Sequence, residues 1–205
     1  HSHQGAPGPR GRAGADAVSH YDRKDHYHQR AKREGARSRA LYKLADLQRE
    51  SGMLRPGQRV IDLGCWPGGW LQEASRIVGP AGRVVGVDLA RIEPPIQNEN
   101  VIALVGDIED PALGARLRDA LGGACDVLLS DAAPKLTGIR ERDRAMEERL
   151  LEAVERLIPE LLREDGDLLV KILEGPEAQR VDQRIRALFR KAKTVKSEAT
   201  RKGSS

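Results

Sequence analysis

Five polar residues stand where types and spacing could support chemistry. Asp62 directly precedes the run Gly64-Cys65-Trp66-Pro67-Gly68-Gly69-Trp70, whose glycines permit a tight turn and a close backbone approach to a ligand that a Cβ would obstruct. Asp88 lies twenty residues after Gly68, a position from which a carboxylate accepts hydrogen bonds from ribose hydroxyls. Asp107, in Gly106-Asp107-Ile108, could meet the exocyclic amine of adenine. Asp131 ends an apolar run in Ser130-Asp131-Ala132-Ala133-Pro134, and Lys171 interrupts Leu168-Leu169-Val170-Lys171-Ile172-Leu173. A lysine inside an apolar strand needs a carboxylate partner, because desolvating its ammonium is costly.

The glycine run does not follow GxGxxG, and the acid before it would repel a phosphate and suit a cation. S-adenosylmethionine carries a sulfonium and an ammonium and no phosphate, so these residues favour it over a nicotinamide dinucleotide, which stays the competing cofactor. Lys171 and Asp131 allow a structural ion pair, or an edge strand whose lysine reaches water. Together with Lys43 they also allow a polar cluster that orients a ribose 2′-hydroxyl in line with a methyl sulfonium and takes its proton. Free lysine titrates near 10.4 and is a poor base at neutral pH. The cluster therefore requires burial and the Lys43 charge to lower the Lys171 pKa, with Asp131 acting the other way.

The elements that would position these residues follow from periodicity. Apolar residues at helical spacing predict a helix over 37–52, with Ser38 available as N-cap and Gly52 as the stop. Strands are predicted over 59–63, 83–88, 101–105, 125–130 and 167–173, and the pattern allows a last one over 194–197. Helices are predicted over 70–77, 112–121, 142–162, with Pro159 bending or ending it, and 177–190. Strands alternating with helices of this length predict an α/β, Rossmann-like domain: a largely parallel sheet with helices on both faces. Ligands of such sheets sit beyond the carboxyl ends of the strands, where Asp62, Asp88, Asp107 and Asp131 fall.

Length and composition bound the rest. At 205 residues and 22.5 kDa the chain has room for one α/β domain. No run of about eighteen apolar residues occurs, so no membrane span is expected. Cys65 and Cys125 lie far apart without CxxC or CxxH spacing; no disulfide framework or metal requirement follows, and a cytoplasmic setting fits. Residues 1–20 read as a flexible tail and 21–205 as the domain. From Tyr21 to Lys43 eight basic residues face three acids, and from Arg190 to Lys202 six face one. With only six aromatic residues, any grip on nucleic acid would be mostly electrostatic.

Five segments together resemble the FtsJ/RrmJ-type (RlmE-like) 2′-O-ribose RNA methyltransferases: 37–44, 62–70, 86–89, 130–134 and Val170-Lys171. The resemblance runs from about Tyr21 to the last residue. It implies a Rossmann-like S-adenosylmethionine-dependent methyltransferase acting as a monomer on RNA. The bacterial branch of that family methylates a uridine of large-subunit (23S) ribosomal RNA, and relatives act on transfer RNA or messenger caps. Carried over by position, the resemblance implies cofactor contacts from Gly64, Gly68, Trp70, Asp62, Asp88, Asp107 and Asp131. It makes Lys171 the proton acceptor, with Lys43 and Asp131 beside it. The basic helix near the amino end would hold RNA.

Three departures stand out. Trp66 replaces a usually small residue and is expected to reshape the methionine pocket, and Lys135 replaces a common Asn and adds charge near the substrate. The family's fourth catalytic residue, a glutamate on a final strand, has no counterpart before Ser205, which is expected to reflect truncation ahead of that strand. A noncatalytic RNA-binding or ribosome-assembly module is the competing reading of the chain.

Overall fold

Runs rich in Val, Ile and Leu become strands buried on both faces, and the segments between them become the helices that bury them. The computed structural model describes residues 35–195. Within them the order is α1 (Ala40–Ser51), β1 (Arg59–Leu63), α2 (Gly69–Val78), β2 (Arg83–Asp88), β3 (Val101–Val105), α3 (Leu113–Leu121), β4 (Cys125–Ser130), α4 (Arg140–Leu161), β5 (Leu162–Val170) and α5 (Pro176–Arg186). The strands form one sheet, ordered β3-β2-β1-β4-β5, and every pairing is parallel.

Alternate residues of the central strands feed two cores, as the two-residue period of a strand requires. Val60, Val84, Val127 and Leu129 pack with Leu44 of α1 and Leu71 and Ala74 of α2. Ile61, Leu63, Val85, Val87 and Leu128 pack on the other face with Leu113 and Leu117 of α3, Leu151, Leu157 and Leu161 of α4, and Val181 and Ile185 of α5. The expected doubly wound α/β arrangement is therefore present. β1 to β4 carry the bounds their apolar runs predict.

Four details differ from the sequence expectation. Helix α1 starts at Ala40 behind Arg39 rather than at 37; Ser38 gives no side-chain cap, and its buried hydroxyl has no hydrogen-bond partner among the described residues. Pro159, expected to bend or end its helix, lies inside the last turn of α4 and removes the N–H that would bond to the Glu155 carbonyl, and the helix does end two residues later. Helix α5 ends at Arg186, not 190, and Thr194 and Val195 are not in a strand, residues 196 and 197 lying outside the described region.

The fourth difference bears on the site. β5 ends at Val170 rather than at Leu173. Its partner β4 ends at Ser130, and the last link is the Lys171 N–H donating to the Ser130 carbonyl at 2.8 Å. Beyond Ser130 the chain of β4 continues as irregular backbone, and Ile172 and Leu173 leave the ladder. Regular pairing with β4 begins at Asp167, after an irregular stretch in which Asp165 has a φ of 60°. The sequences at 1–20 and 199–205, and most of the amino-terminal basic segment, lie outside the described residues.

Candidate active site at the carboxyl rim of the sheet

The five strands deliver polar residues at or just past their carboxyl ends to one rim. In β1, the register that buries Ile61 and Leu63 on one face leaves Asp62 on the other, beneath the glycine loop. It is 1 % exposed, and neither carboxylate oxygen has a hydrogen-bond partner among the described residues. Burial, reinforced by the charges of Asp131 and Asp88, pushes its pKa up to about 8. Two uncompensated carboxylate oxygens in a buried position are costly, and a cation at this point would relieve that cost.

The loop leaving β1 is held open by close backbone approaches. Gly64, at a φ of 78°, passes Ala132 so closely that a Cβ there would lie 2.8 Å from the alanine Cβ and 2.9 Å from its Cα. Gly68, at a φ of 111°, passes Arg37 and Ile96, with a Cβ there 2.8 Å from Arg37 Cδ. The turn brings the loop to Asp88: the Trp66 N–H donates to Asp88 Oδ2 at 3.0 Å, and the Ala90 N–H donates to Oδ1 at 2.9 Å. Each Asp88 oxygen keeps a further acceptor site. Trp70 is buried, and its indole N–H donates to the Ala40 carbonyl at 2.7 Å, tying α2 to the start of α1. Asp107, exposed after β3, accepts from the Glu109 N–H at 2.9 Å.

The second group of residues meets at the ends of β4 and β5. Since Ser130 pairs with Val170, Asp131 and Lys171 leave neighbouring strands at the same level. The ion pair formed there is not the one the sequence suggests. Lys43, one turn into α1, reaches Asp131 Oδ1 at 3.4 Å, both side chains being about a quarter to a third exposed. Lys171 is exposed and follows its strand rather than interrupting it. The expectation of a lysine buried in a strand and shielded by Asp131 is thus corrected in favour of the alternative, a lysine that reaches water: among the described residues β5 has a neighbour on one side only, and its last residues are only half-buried.

Sequence reasoning missed four contributors. Arg37 and Ile96 line Gly68, and Ala132 backs Gly64; nothing local marks a residue as the wall of a distant glycine turn. Asp143, in the first turn of α4, accepts from the Thr137 N–H and hydroxyl, each at 2.7 Å, and from the Gly138 N–H at 3.1 Å. These bonds hold its carboxyl below the usual range and fix the loop that carries Lys135 and Leu136.

The arrangement suits a cationic adenosyl ligand. An acidic floor (Asp62, with Asp131 and Asp88 near enough to raise its pKa) lies under a loop whose glycines leave room for a ligand. A dinucleotide pyrophosphate would meet that floor as a repulsion. Among the described residues no cluster of His, Cys, Asp and Glu could hold a metal ion, and no helix is long and apolar enough to cross a membrane.

Known proteins resemble this chain along most of its length. The family model described as FtsJ-like methyltransferase matches residues 36–205. A ribosomal RNA large subunit methyltransferase E from Methanothermobacter thermautotrophicus is 43% identical over 182 residues, 89% of this chain and 86% of that protein. One of the same name from Syntrophobacter fumaroxidans is 42% identical over 184 residues, 90% and 92% of the two chains. Among solved structures, one described as a ribosomal RNA methyltransferase from Plasmodium falciparum superposes with a TM-score of 0.69 at 25% identity, covering 78% of this chain and 91% of that one.

Proposed function

The chain belongs to the FtsJ-like methyltransferase family, and from that premise we propose that it methylates a ribose 2′-hydroxyl of large-subunit ribosomal RNA, a uridine being the expected nucleotide. Its methyl donor is S-adenosylmethionine. The single observation that carries the reading of the site is Asp62, whose carboxylate is buried, has no hydrogen-bond partner among the described residues and is flanked by two further acids.

S-adenosylmethionine supplies an electrophilic methyl on a sulfonium. Asp62 compensates the donor's positive charge and is compensated by it, so its burial becomes favourable only in the complex. The free acceptor sites of Asp88 take ribose hydroxyls, and Asp107 takes the adenine amine. Gly64 and Gly68 let the loop backbone approach the ligand, and Trp70 keeps the start of α2 in place through Ala40. Lys43 and Asp131, paired at 3.4 Å, orient the acceptor hydroxyl, and Lys171, level with Asp131 on the adjoining strand and exposed without substrate, accepts its proton once bound RNA covers it and supplies the burial that a lysine base requires. Holding the oxygen in line with the methyl provides most of the acceleration, and proton transfer adds about 10²- to 10⁴-fold. The basic leading edge of α1, with Arg37 and Arg39, lies beside the cofactor loop and attracts RNA phosphates.

The test is transfer of tritiated methyl from S-adenosylmethionine to ribosomal particles, followed by digestion to nucleosides. Label on a ribose, lost in Lys171→Ala, is the expected result. Label on a base, or full transfer by that variant, would overturn the assignment.

A further inference from the structure

Six of the seven large hydrophobic residues that the described region leaves exposed lie at or just past the carboxyl ends of strands. They are Trp66 after β1, Leu89 after β2, Val105 closing β3, Leu136 and Ile139 after β4, and Ile172 after β5. Packing cannot account for such clustering, since scattered single exposures are normal but a rim of them marks a contact surface. Trp66 is the largest of these and is 58 % exposed, whereas the protein's other tryptophan, Trp70, is buried and hydrogen-bonded. The Trp66 backbone is anchored, its N–H bonded to Asp88 at 3.0 Å, so an exposed aromatic ring stands on a fixed support beside the cofactor loop. Around it the same rim carries Arg39, Lys135, Arg140 and Lys171, all exposed and none ion-paired with another described residue.

Aromatic surface interleaved with uncompensated cations matches a single-stranded nucleic acid, whose phosphates meet the cations while a base stacks on the ring. We propose that Trp66 is a positioning residue that stacks on an unpaired base of the RNA next to the methylated ribose. Of the acids on the same rim, Asp62 is buried, Asp88 and Asp131 are half-buried, and Asp107 is assigned to the cofactor, so the exposed cations favour an anionic polymer over a neutral apolar partner. Asp62 is buried and Asp88 half-buried while Trp66 is 58 % exposed, so on this proposal the indole stands outside the cofactor site and faces the RNA instead of reshaping the methionine pocket. The inference rests on the reading of the protein as an RNA methyltransferase and adds the group that holds the substrate base.

Two measurements on the full chain test it. In methyl transfer to a ribosomal RNA fragment, Trp66→Ala should raise KM for RNA about 5- to 150-fold, the range of base–aromatic stacking. KM for S-adenosylmethionine should be unchanged, and Trp66→Phe should recover most of the loss. In fluorescence, a single-stranded oligoribonucleotide should quench the emission that Trp66→Phe removes, while an abasic strand of equal length should not. An unchanged KM for RNA overturns the proposal. So does a shift in KM for S-adenosylmethionine instead, which would place the ring on the cofactor, or equal quenching by the abasic strand. A blue shift with rising protein concentration and no RNA would overturn it in favour of contact between copies. If the wild-type protein methylates no RNA, the reading of the function fails, and the quenching comparison still decides whether Trp66 stacks on a base.

Discussion

Replacing Asp62 by Asn should make the cofactor-free protein more stable and the cofactor-binding protein worse, with a pH dependence that identifies the cause. In the unfolded chain this carboxyl titrates at an ordinary 3.8; in the fold, burial first and then Asp131 and Asp88 push it up to about 8. Between those values the folded state holds a proton that the unfolded state has released. Its contribution to stability is complete below the lower value and is lost as pH rises through the upper one. At about 1.4 kcal/mol per pH unit, the wild type loses about 4 kcal/mol from this group between pH 5 and pH 8. For a chain of this size that corresponds to about 8–16 °C in melting temperature. Asp62→Asn removes the titration, so its melting temperature should gain on the wild type progressively across that range. Cofactor binding runs the other way, because the cation pairs with the ionised form. Wild-type affinity for S-adenosylmethionine should rise about tenfold per pH unit up to pH 8 and then level off, whereas the variant should bind weakly and without this slope. Melting followed by circular dichroism and titration calorimetry at four pH values would measure both. Parallel melting curves for the two proteins, or a flat wild-type affinity, would refute the role assigned to Asp62.

Two other substitutions probe the loop and the catalytic group. Gly64→Ala places a Cβ against the backbone of Ala132 at a φ of 78°, a combination that no side-chain rotation relieves. A conformational cost of about 1–3 kcal/mol should lower the melting temperature by about 2–12 °C and weaken cofactor binding, and an unchanged melt with unchanged affinity would contradict the packing described. Lys43→Ala breaks a partly exposed ion pair with Asp131, worth at most about 1 kcal/mol to the fold. Its melting should therefore stay close to wild type while methyl transfer falls about 10²- to 10⁴-fold; transfer at the wild-type rate would remove Lys43 from the site.

Much of the architecture was legible in local sequence because its signals are local. Arg59–Leu63, Arg83–Asp88, Val101–Val105 and Cys125–Ser130 are short apolar runs with breakers on both sides, and in a parallel sheet covered by helices such runs are strands. The glycines flanking Trp66 and the acid at each strand end could be read for the same reason: their chemistry depends on residue type and on position relative to a strand. What the sequence could not decide were quantities set by neighbours remote along the chain. The run from Asp167 to Leu173 looks like one strand, yet β5 stops at Val170, where β4 also ends and its chain continues as irregular backbone. Local sequence allowed Lys171 either to be buried against Asp131 or to reach water from an edge strand; it is exposed, and among the described residues β5 pairs on one side only. Asp131 instead meets Lys43, 88 residues away. The exposure of Trp66 and the unpartnered burial of Asp62 are decided the same way. Residue types and spacing determine which groups are offered at the rim, but distance, solvation and charge compensation belong to pairs of segments that only the folded chain brings together.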